Sequence, residues 1–299
     1  MHSFMYLLLI WIFCVPEAVQ PWWQKKAKTG EKEQPQTGNN RQQRRNPVEE
    51  AYKKSFFYRS RDALRHISDE LGISRCFDEA RNKAKRVRPG NTDRLEAITW
   101  ISLYSSECSI DKRLLIEDKN ANIFPYRLNK ELRCTFHTRN RRVRDIFLKA
   151  GNMIDEALDI LKPTLYTKNL YRGLKENFPY RNRFIEDGFL STTTDVDRAL
   201  EFSEGNILLI ITPMYGVDIA AYSDYAYEKE VLAKRHTTFD IVKKVKKEKK
   251  IKEIIEGLTN MRWYPKTIIY MKQVFPKDNV RNTLSRRQQM KSDSYCKPS

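Results

Sequence analysis

Residues 170–174 read LYRGL, residues 188–195 read GFLSTTTD and residues 227–232 read YEKEVL, and these three stretches decide the fold. They lie in a C-terminal region where short β-branched or aromatic segments are separated by turn residues, a pattern typical of strands. The predicted strands are Leu165–Arg172, Gly188–Thr193, Asn206–Met214, Glu230–Ala233, Thr238–Val245 and Thr267–Val274. One short helix, Asp195–Phe202 with Thr194 as its cap, is expected among them.

The region before these strands is predicted to be helical, because its apolar residues recur at three- and four-residue spacing. The apolar stripes are Ala63, Leu64, Ile67 and Leu71; Leu95, Ile98, Ile101 and Tyr104; Tyr126, Leu128 and Leu132; and Ile146, Phe147, Ala150, Ile154, Ala157, Leu158 and Leu161. Gly72 and Pro163 act as stop signals, and Thr92-Asp93 is expected to cap the second helix. Helices followed by strands predict an α+β fold rather than an alternating parallel sheet.

The N-terminus indicates export. Residues 4–15 form an unbroken apolar run of twelve residues, FMYLLLIWIFCV. That length suits a signal-peptide core, whereas a transmembrane helix needs about twenty residues. Cleavage is expected after Ala18 or Gln20, and an uncleaved membrane anchor through residues 4–15 is the alternative. The sequence therefore predicts a secreted protein.

Composition divides the chain into segments. Residues 22–50 are polar, charged and aperiodic apart from a Trp pair, which is typical of a disordered stretch. The predicted organisation is a signal peptide (1–20), a disordered basic linker or pro-segment (21–50), one domain (51–275) with a helical part (51–163) and a β core (164–275), and a basic C-terminal tail (276–299).

Cysteine usage also fits an exported chain. Removal of the signal peptide leaves Cys76, Cys108, Cys134 and Cys296. An even number predicts disulfides, and three pairings are possible. There is no Cys-x-x-Cys pair and the histidines are scattered, so no metal site is expected.

The formal net charge of +18 predicts attraction to anionic partners. Residues 243–252, KKVKKEKKIK, contain seven lysines and one glutamate. Two interpretations stay open for this stretch: a solvated hairpin and tail, or adhesion to an anionic surface, glycan or nucleic acid. Aromatic residues are sparse there, so a base-stacking platform is not expected.

The Glu-x-Glu pair is the first candidate site feature. In an extended chain Glu228 and Glu230 would point to one side and Lys229 to the other. Paired carboxylates suit chemistry at a sugar carbon, because one can stabilise an oxocarbenium ion while the other orients a nucleophile. Alone, the pair is better explained as a solvated strand edge.

Two further strand ends supply complementary groups. Arg172 offers a fixed cation for bidentate phosphate contact, and Gly173 lets a ligand approach the backbone. The Ser191 hydroxyl is suited to orienting a glutamate. Each of these residues also has a purely structural interpretation, so the prediction depends on the ordered set. No Gly-x-Gly-x-x-Gly, phosphate-binding P-loop or Gly-x-Ser-x-Gly motif is present, which excludes the ordinary dinucleotide, NTPase and serine-hydrolase patterns.

The ordered set resembles the R-S-E class of mono-ADP-ribosyltransferases, which comprises vertebrate ecto-enzymes and many bacterial toxins. The class motifs match Arg172, Ser191-Thr192-Thr193 and Glu228-Lys229-Glu230, with Thr193 in place of the usual final Ser. Residues 126–133, YRLNKELR, are similar to a helix of the ecto-enzymes. The resemblance covers residues 95–245. It implies an N-terminal helical part packed on a mixed β-sandwich core of the ADP-ribosyltransferase type.

The resemblance also implies an activity. NAD would be the co-substrate, and ADP-ribose would pass to an arginine of a target protein with release of nicotinamide. The implied catalytic residues are Arg172, Ser191, Glu228 and Glu230. The implied NAD-binding residues are Arg172, Gly173, Ser191, Phe202 and Glu230. Phe202 would stack on nicotinamide or, alternatively, belong to the core.

In the implied division of roles, Arg172 holds the diphosphate and the nicotinamide-ribose side, and the Gly173 backbone contacts the nicotinamide amide. Ser191 positions Glu230, which binds the ribose 2′-hydroxyl and stabilises the oxocarbenium ion. Glu228 engages the acceptor, and a Glu at that position implies arginine. Tyr225 and Tyr227 form the aromatic element of the recognition loop or simply pack.

Two alternatives remain at this level. A NAD glycohydrolase would use the same site with water in place of arginine. A secreted basic binding protein would have a degenerate, inactive site. The protein is expected to be a monomer without a metal.

Overall fold

The computed structural model describes residues 61–87, 89–110, 122–134, 140–176, 178, 180 and 182–275. The predicted signal peptide, the linker or pro-segment, the C-terminal tail and Cys296 lie outside these residues. Among the residues that the structure describes, no helix is both long enough and apolar enough to cross a membrane.

Five helices precede the sheet in the described part of the chain. They are α1 (Arg61–Leu71), α2 (Ser74–Arg86), α3 (Thr92–Tyr104), α4 (Phe124–Arg133) and α5 (Arg141–Leu161). The stop signals are confirmed, since Gly72 has a φ of 69° directly after α1 and α5 ends two residues before Pro163. The predicted cap of α3 is wrong: the side chain of Asn91 accepts the bond from the Arg94 N–H. Tyr126 is 66% exposed and lies off the buried face of α4.

Nine strands and two further helices follow. The strands are β1 (Thr164–Tyr166), β2 (Leu170–Leu174), β3 (Phe184–Glu186), β4 (Leu190–Thr193), β5 (Ile207–Ile211), β6 (Met214–Asp218), β7 (Glu230–Ala233), β8 (Thr237–Val245) and β9 (Thr267–Gln273), and the helices are α6 (Val196–Ser203) and α7 (Glu248–Glu256). The strand order is β1-β6-β7-β4-β2-β5-β9-β8-β3. Only the β5–β9 pair is parallel among these neighbours, so the sheet is mixed, as predicted.

Two predicted strands are each split in the structure. The segment Leu165–Arg172 contains β1 and the start of β2, which pair with different strands. The segment Asn206–Met214 contains β5 and the start of β6, separated by Thr212 and Pro213. The breaks fall at Thr167–Asn169 and at Thr212-Pro213. The prediction ran across these residues because strand pairing is decided by partners distant in the chain.

Other predictions at this level need correction. Helix α2 and strand β3 were not predicted. The basic stretch was interpreted either as a solvated hairpin and tail or as an adhesive surface, and its second half is helix α7. The cap of α6 is Asp195, whose side chain accepts from the Asp197 N–H, rather than Thr194. The Thr193 hydroxyl accepts from the Asp195 N–H and supports this turn.

Three apolar clusters form the layers. The first joins helices α1–α5 to inward residues of the β6–β7 side, such as Val217 and Leu232. The second is enclosed by the strands themselves, from Leu190 and Val231 to Phe239 and Met271. The third packs α6 and α7 on the β5–β9 side. The sheet therefore folds around a shared inner core, and the expected helical layer covers one half of it.

A disulfide joins the helical layer to the segment that follows α3. Cys76 of α2 is bonded to Cys108, with a Cα–Cα distance of 6.1 Å. Cys134, at the end of α4, is also disulfide-bonded. The expectation of disulfides is confirmed.

Candidate active site

Three neighbouring strands bring the predicted site residues together. In the order β7–β4–β2, Glu230 pairs with Thr193 and Thr193 pairs with Tyr171. Ser191 lies two residues along β4 from Thr193 and so on the same face as Glu230. Its side chain is hydrogen-bonded to Glu230. Nη1 of Arg172 donates to the carbonyl oxygen of Ser191 at 2.6 Å, which links all three positions.

Helix α6 packs closely on β2 at Gly173, the residue after Arg172. A Cβ on Gly173 would lie 2.0 Å from the carbonyl oxygen of Ala199 and 2.4 Å from the backbone nitrogen of Ser203. The glycine was expected to leave room for a ligand, but on this side the backbone of α6 occupies the space. The contact of the Gly173 backbone with nicotinamide stays a prediction.

Glu230 is the most perturbed carboxyl of the site. Its pKa is raised to about 7. Burial is the main cause, opposed by the Ser191 hydrogen bond; the charge of Glu228 also raises the pKa, and the charge of Arg172 lowers it. Only 8% of the residue is exposed. Perturbed acids of this kind cluster at functional sites. The group therefore changes charge near neutral pH.

Arg172 is a cation in the same low-dielectric surroundings. Burial and the nearby charge of Arg133 lower its pKa, while Glu186 and Glu230 oppose this. A guanidinium keeps its proton under all ordinary conditions. Arg172 is therefore a fixed positive charge beside an acid that titrates.

Glu228 does not lie in extended chain as predicted. It ends a 3-10 turn, Ala226–Glu228, and Lys229 adopts a left-handed conformation with φ of 48° before β7 begins. Lys229 nevertheless points away, forming an ion pair with Asp195 at 3.0 Å. Half-burial raises the pKa of Glu228; the nearby charge of Arg198 lowers it and that of Glu107 raises it. The carboxylates of Glu228 and Glu230 are therefore brought close by a turn, rather than by the alternation of side chains along a strand.

Sequence reasoning did not place the polar residues behind the site. Nδ2 of Asn129 donates to the Tyr104 hydroxyl at 2.9 Å, and its Oδ1 accepts from the Phe189 N–H at 2.7 Å. Nε of Arg133 donates to Glu186 at 2.7 Å. Asn129 and Arg133 are four residues apart on α4, so they share one face. The i, i+4 spacing of these two polar residues within YRLNKELR is the signal that would have found them.

Tyr104 connects this polar network to Glu230. Burial raises the pKa of its hydroxyl, and the charge of Glu230 raises it as well. Its ring packs edge-on against Phe189, with centroids 5.5 Å apart. The helical layer therefore forms one side of the site.

Aromatic side chains are exposed at the mouth of the site. Phe202 is 45% exposed, so its interpretation as a core residue is wrong, and its backbone lies against Gly173. Tyr227 is also exposed, and its ring contacts Tyr225 edge-on at 6.0 Å. The guanidinium of Arg198 lies over the Tyr227 ring at 4.9 Å. The exposed parts of the Phe202 and Tyr227 rings are accessible to a ligand.

A comparison with known protein families matches the segment that contains these residues. Residues 119–259 match the family model of NAD:arginine ADP-ribosyltransferases. This segment, which is just under half of the chain, is similar to ADP-ribosyltransferase domains. The matched range contains α4, the three strands of the site and the whole recognition loop, which we define as residues 219–229.

The chain is also similar to solved structures of ADP-ribosyltransferases. The eukaryotic mono-ADP-ribosyltransferase ART2.2, as a variant in complex with NAD, aligns with a TM-score of 0.50 and 16% identity over 74% of this chain and 87% of that one. HopU1 of Pseudomonas syringae aligns at 0.44, with 20% identity over 60% and 77%. Exoenzyme S of Pseudomonas aeruginosa, in complex with human 14-3-3 protein beta and carba-NAD, aligns at 0.47, with 15% identity over 75% and 96%. No curated protein sequence matches the chain significantly.

NAD is the co-substrate of this family, and the side chains present suit it. A buried guanidinium matches a diphosphate, a carboxylate matches a ribose hydroxyl, and an exposed aromatic ring matches nicotinamide. Within the described ranges, no group of three or more His, Cys, Asp or Glu residues is placed to hold a metal ion.

Proposed function

We propose that the protein transfers ADP-ribose from NAD to arginine side chains of a target protein and releases nicotinamide. The observation that carries this proposal is the convergence of Arg172, Ser191 and Glu230 on three adjacent strands. Such a set places a cation for the diphosphate next to an acid for the ribose, which is what cleavage of the nicotinamide bond requires.

The chemistry follows from where charge develops. As the bond between the ribose and nicotinamide breaks, its electron pair leaves with nicotinamide and positive charge builds up on the ribose. Ionised Glu230, held by Ser191, stabilises that oxocarbenium ion and binds the 2′-hydroxyl. Arg172 holds the diphosphate, the Gly173 backbone contacts the nicotinamide amide, and the Phe202 ring stacks on nicotinamide.

Glu228 supports arginine as the acceptor. A guanidinium nitrogen bonds to the anomeric carbon, and one proton must leave the guanidinium as the product forms. A half-buried carboxylate with a raised pKa is suited both to binding the cation and to taking up that proton. Tyr227, exposed beside it, offers an aromatic face to the same group.

The decisive experiment measures both products of the purified protein incubated with labelled NAD and a polyarginine acceptor. We expect label on the acceptor together with free nicotinamide. Glu230→Ala should abolish nicotinamide release. Glu228→Gln should reduce arginine transfer more than NAD hydrolysis. Equal loss of both rates in Glu228→Gln would contradict the acceptor role.

The same assay separates the alternatives. Free ADP-ribose without labelled acceptor would indicate a NAD glycohydrolase. No nicotinamide at all would indicate a binding protein with an inactive site.

We further propose that the protein is secreted through the apolar run of residues 4–15, acts as a monomer and adheres to anionic surfaces or glycans through Lys243–Lys252. Disulfides support export. All seven lysines of this stretch are exposed, and among the described residues Lys250 and Lys252 are paired with Glu253 and Glu256. Retention on heparin should therefore weaken with salt and be unchanged by Glu230→Ala. Salt-independent retention would contradict the proposal.

A further inference from the structure

The recognition loop is fastened to the helical layer rather than standing free. Oγ of Ser102 on α3 donates to the carbonyl oxygen of Tyr222 at 2.8 Å. Nζ of Lys83 on α2 forms an ion pair with Asp224 at 2.6 Å. The acceptor side of the site is therefore bounded by residues that precede the matched family segment.

Glu107, in the segment after α3, interacts with two residues of this loop. The Tyr225 hydroxyl is hydrogen-bonded to the Glu107 carboxylate, and this bond is the main cause that raises the pKa of Tyr225 to about 12. The same carboxylate is close enough to Glu228 to raise its pKa as well. Glu107 therefore faces both the aromatic and the acidic element of the loop.

The backbone that carries Glu107 is held on both sides. Cys108 is joined to Cys76, and its carbonyl oxygen accepts from the Phe124 N–H at 2.7 Å. Ser109 pairs with Ile123 in an isolated β-bridge. The Glu107 side chain itself is exposed. A fixed backbone with an exposed carboxylate is the arrangement expected of a recognition residue.

The adjacent surface already accommodates a guanidinium. Arg198 stacks on Tyr227 at 4.9 Å, and its charge lowers the pKa of Glu228. Arg198 also forms an ion pair with Glu201 at 2.6 Å. Its charge therefore compensates the negative charges of Glu107 and Glu228 only in part. This stacked arginine shows, independently of the carboxylates, that the aromatic face suits a guanidinium.

We propose that Glu107 is a specificity-determining residue that binds the cationic acceptor together with Glu228, with Tyr225 holding the Glu107 carboxylate in place. This inference rests on the proposed arginine transfer. It assigns acceptor selection to two carboxylates from different layers of the fold, one on the recognition loop and one after α3.

The test uses the full mature chain, NAD and agmatine as a small guanidine acceptor. For Glu107→Gln we expect the KM for agmatine to rise about fivefold, as for loss of one exposed charge pair, and the ratio of transfer to NAD hydrolysis to fall accordingly. Because salt screens exposed charges, the KM of the unmodified protein should rise with ionic strength, and that rise should be smaller in the variant.

Matched variants keep the outcome interpretable. Glu79→Gln removes an exposed glutamate of α2 that is paired with Arg75, and it should leave the KM for agmatine unchanged. Glu107→Asp keeps the charge and should restore most of the affinity. An unmodified protein that hydrolyses NAD without modifying agmatine would contradict the proposed function itself. Normal transfer with an unchanged KM in Glu107→Gln would overturn only the role of Glu107.

Discussion

Glu230 is half-ionised near neutral pH, because burial disfavours its charged form more than Ser191 and Arg172 favour it. The proposed chemistry needs the carboxylate form of Glu230, so the burial that raises its pKa also limits the fraction of protein that would be active. Two residues adjust this balance in opposite directions: the Ser191 hydrogen bond lowers the pKa of Glu230, and the charge of Glu228 raises it.

The first prediction concerns the pH dependence of nicotinamide release. At low NAD concentration kcat/KM should rise about tenfold per pH unit up to about pH 7 and then level off, because only the ionised form of Glu230 is active. Steady-state assays between pH 5 and pH 9, roughly the range over which such groups titrate, measure this profile.

Two variants serve as opposed controls for that profile. Ser191→Ala should move the rising limb to higher pH, because it removes the bond that favours the carboxylate. Glu228→Gln should move it to lower pH, because it removes a repelling charge. A limb that stays in place in both variants would assign the titration to another group.

The second prediction concerns stability. The folded protein keeps the Glu230 proton up to about pH 7, whereas the unfolded chain loses it near pH 4.5, so stability falls as pH rises between these values. Glu230→Gln should therefore be about 3 kcal/mol more stable than the unmodified protein at pH 8 and little different at pH 4. Urea unfolding at both pH values tests this, and equal differences at the two would contradict it.

At the scale of elements, the site exists because α6 and the recognition loop lie close to strand ends. The absence of a side chain at Gly173 lets α6 touch β2, which places the backbone of Phe202 against Gly173. A Cβ at Gly188 would lie 2.8 Å from Oδ1 of Asn129 on α4. The glycine therefore leaves room for the side chains of Asn129 and Arg133. Both glycines serve close approach between elements.

The third prediction tests the α6 contact. Gly173→Ala should destabilise the protein by about 3 kcal/mol or more, because the new methyl group meets helix backbone that cannot turn away. Thermal unfolding of the protein without NAD measures the loss.

Gly257→Ala is the matched control. A Cβ there would meet its nearest atoms at 3.5 Å, an ordinary contact, and the backbone is already helical. The change should be neutral or stabilise by about 0.4–1 kcal/mol. Similar losses at both glycines would contradict the packing argument.

At the scale of the whole molecule, the helical layer does more than cover the sheet. It contributes Tyr104, Asn129 and Arg133 to the site and anchors the recognition loop. The disulfide between Cys76 and Cys108 ties α2 to the segment after α3. Covalent linkage therefore supports the part of the layer that borders the acceptor side.

The fourth prediction tests that linkage. The double variant Cys76→Ala/Cys108→Ala should lose about 3–4 kcal/mol of stability, because the bond closes a loop with a sequence separation of 32. Chemical denaturation under non-reducing conditions measures this. A variant as stable as the unmodified protein would mean that packing alone holds the segment.

The sequence by itself determined the α+β class, the positions of most helices, strand β7 at its observed bounds and the residues of the three motifs. These features depend on periodicity, stop signals and residue chemistry, which are local properties of the chain. It did not reveal α2, β3, α7, or the divisions between β1 and β2 and between β5 and β6. Those depend on which distant segments pair, because short apolar runs fit more than one partner.

Only the tertiary structure decided how the site works. It placed Ser191 against Glu230, buried Glu230 until its pKa reached about 7, and turned the chain at Lys229 so that Glu228 approaches by a turn. It also brought in Asn129, Arg133 and Glu107 from the helical layer. Burial and charge proximity are properties of the packed molecule, since they arise from residues far apart in the chain.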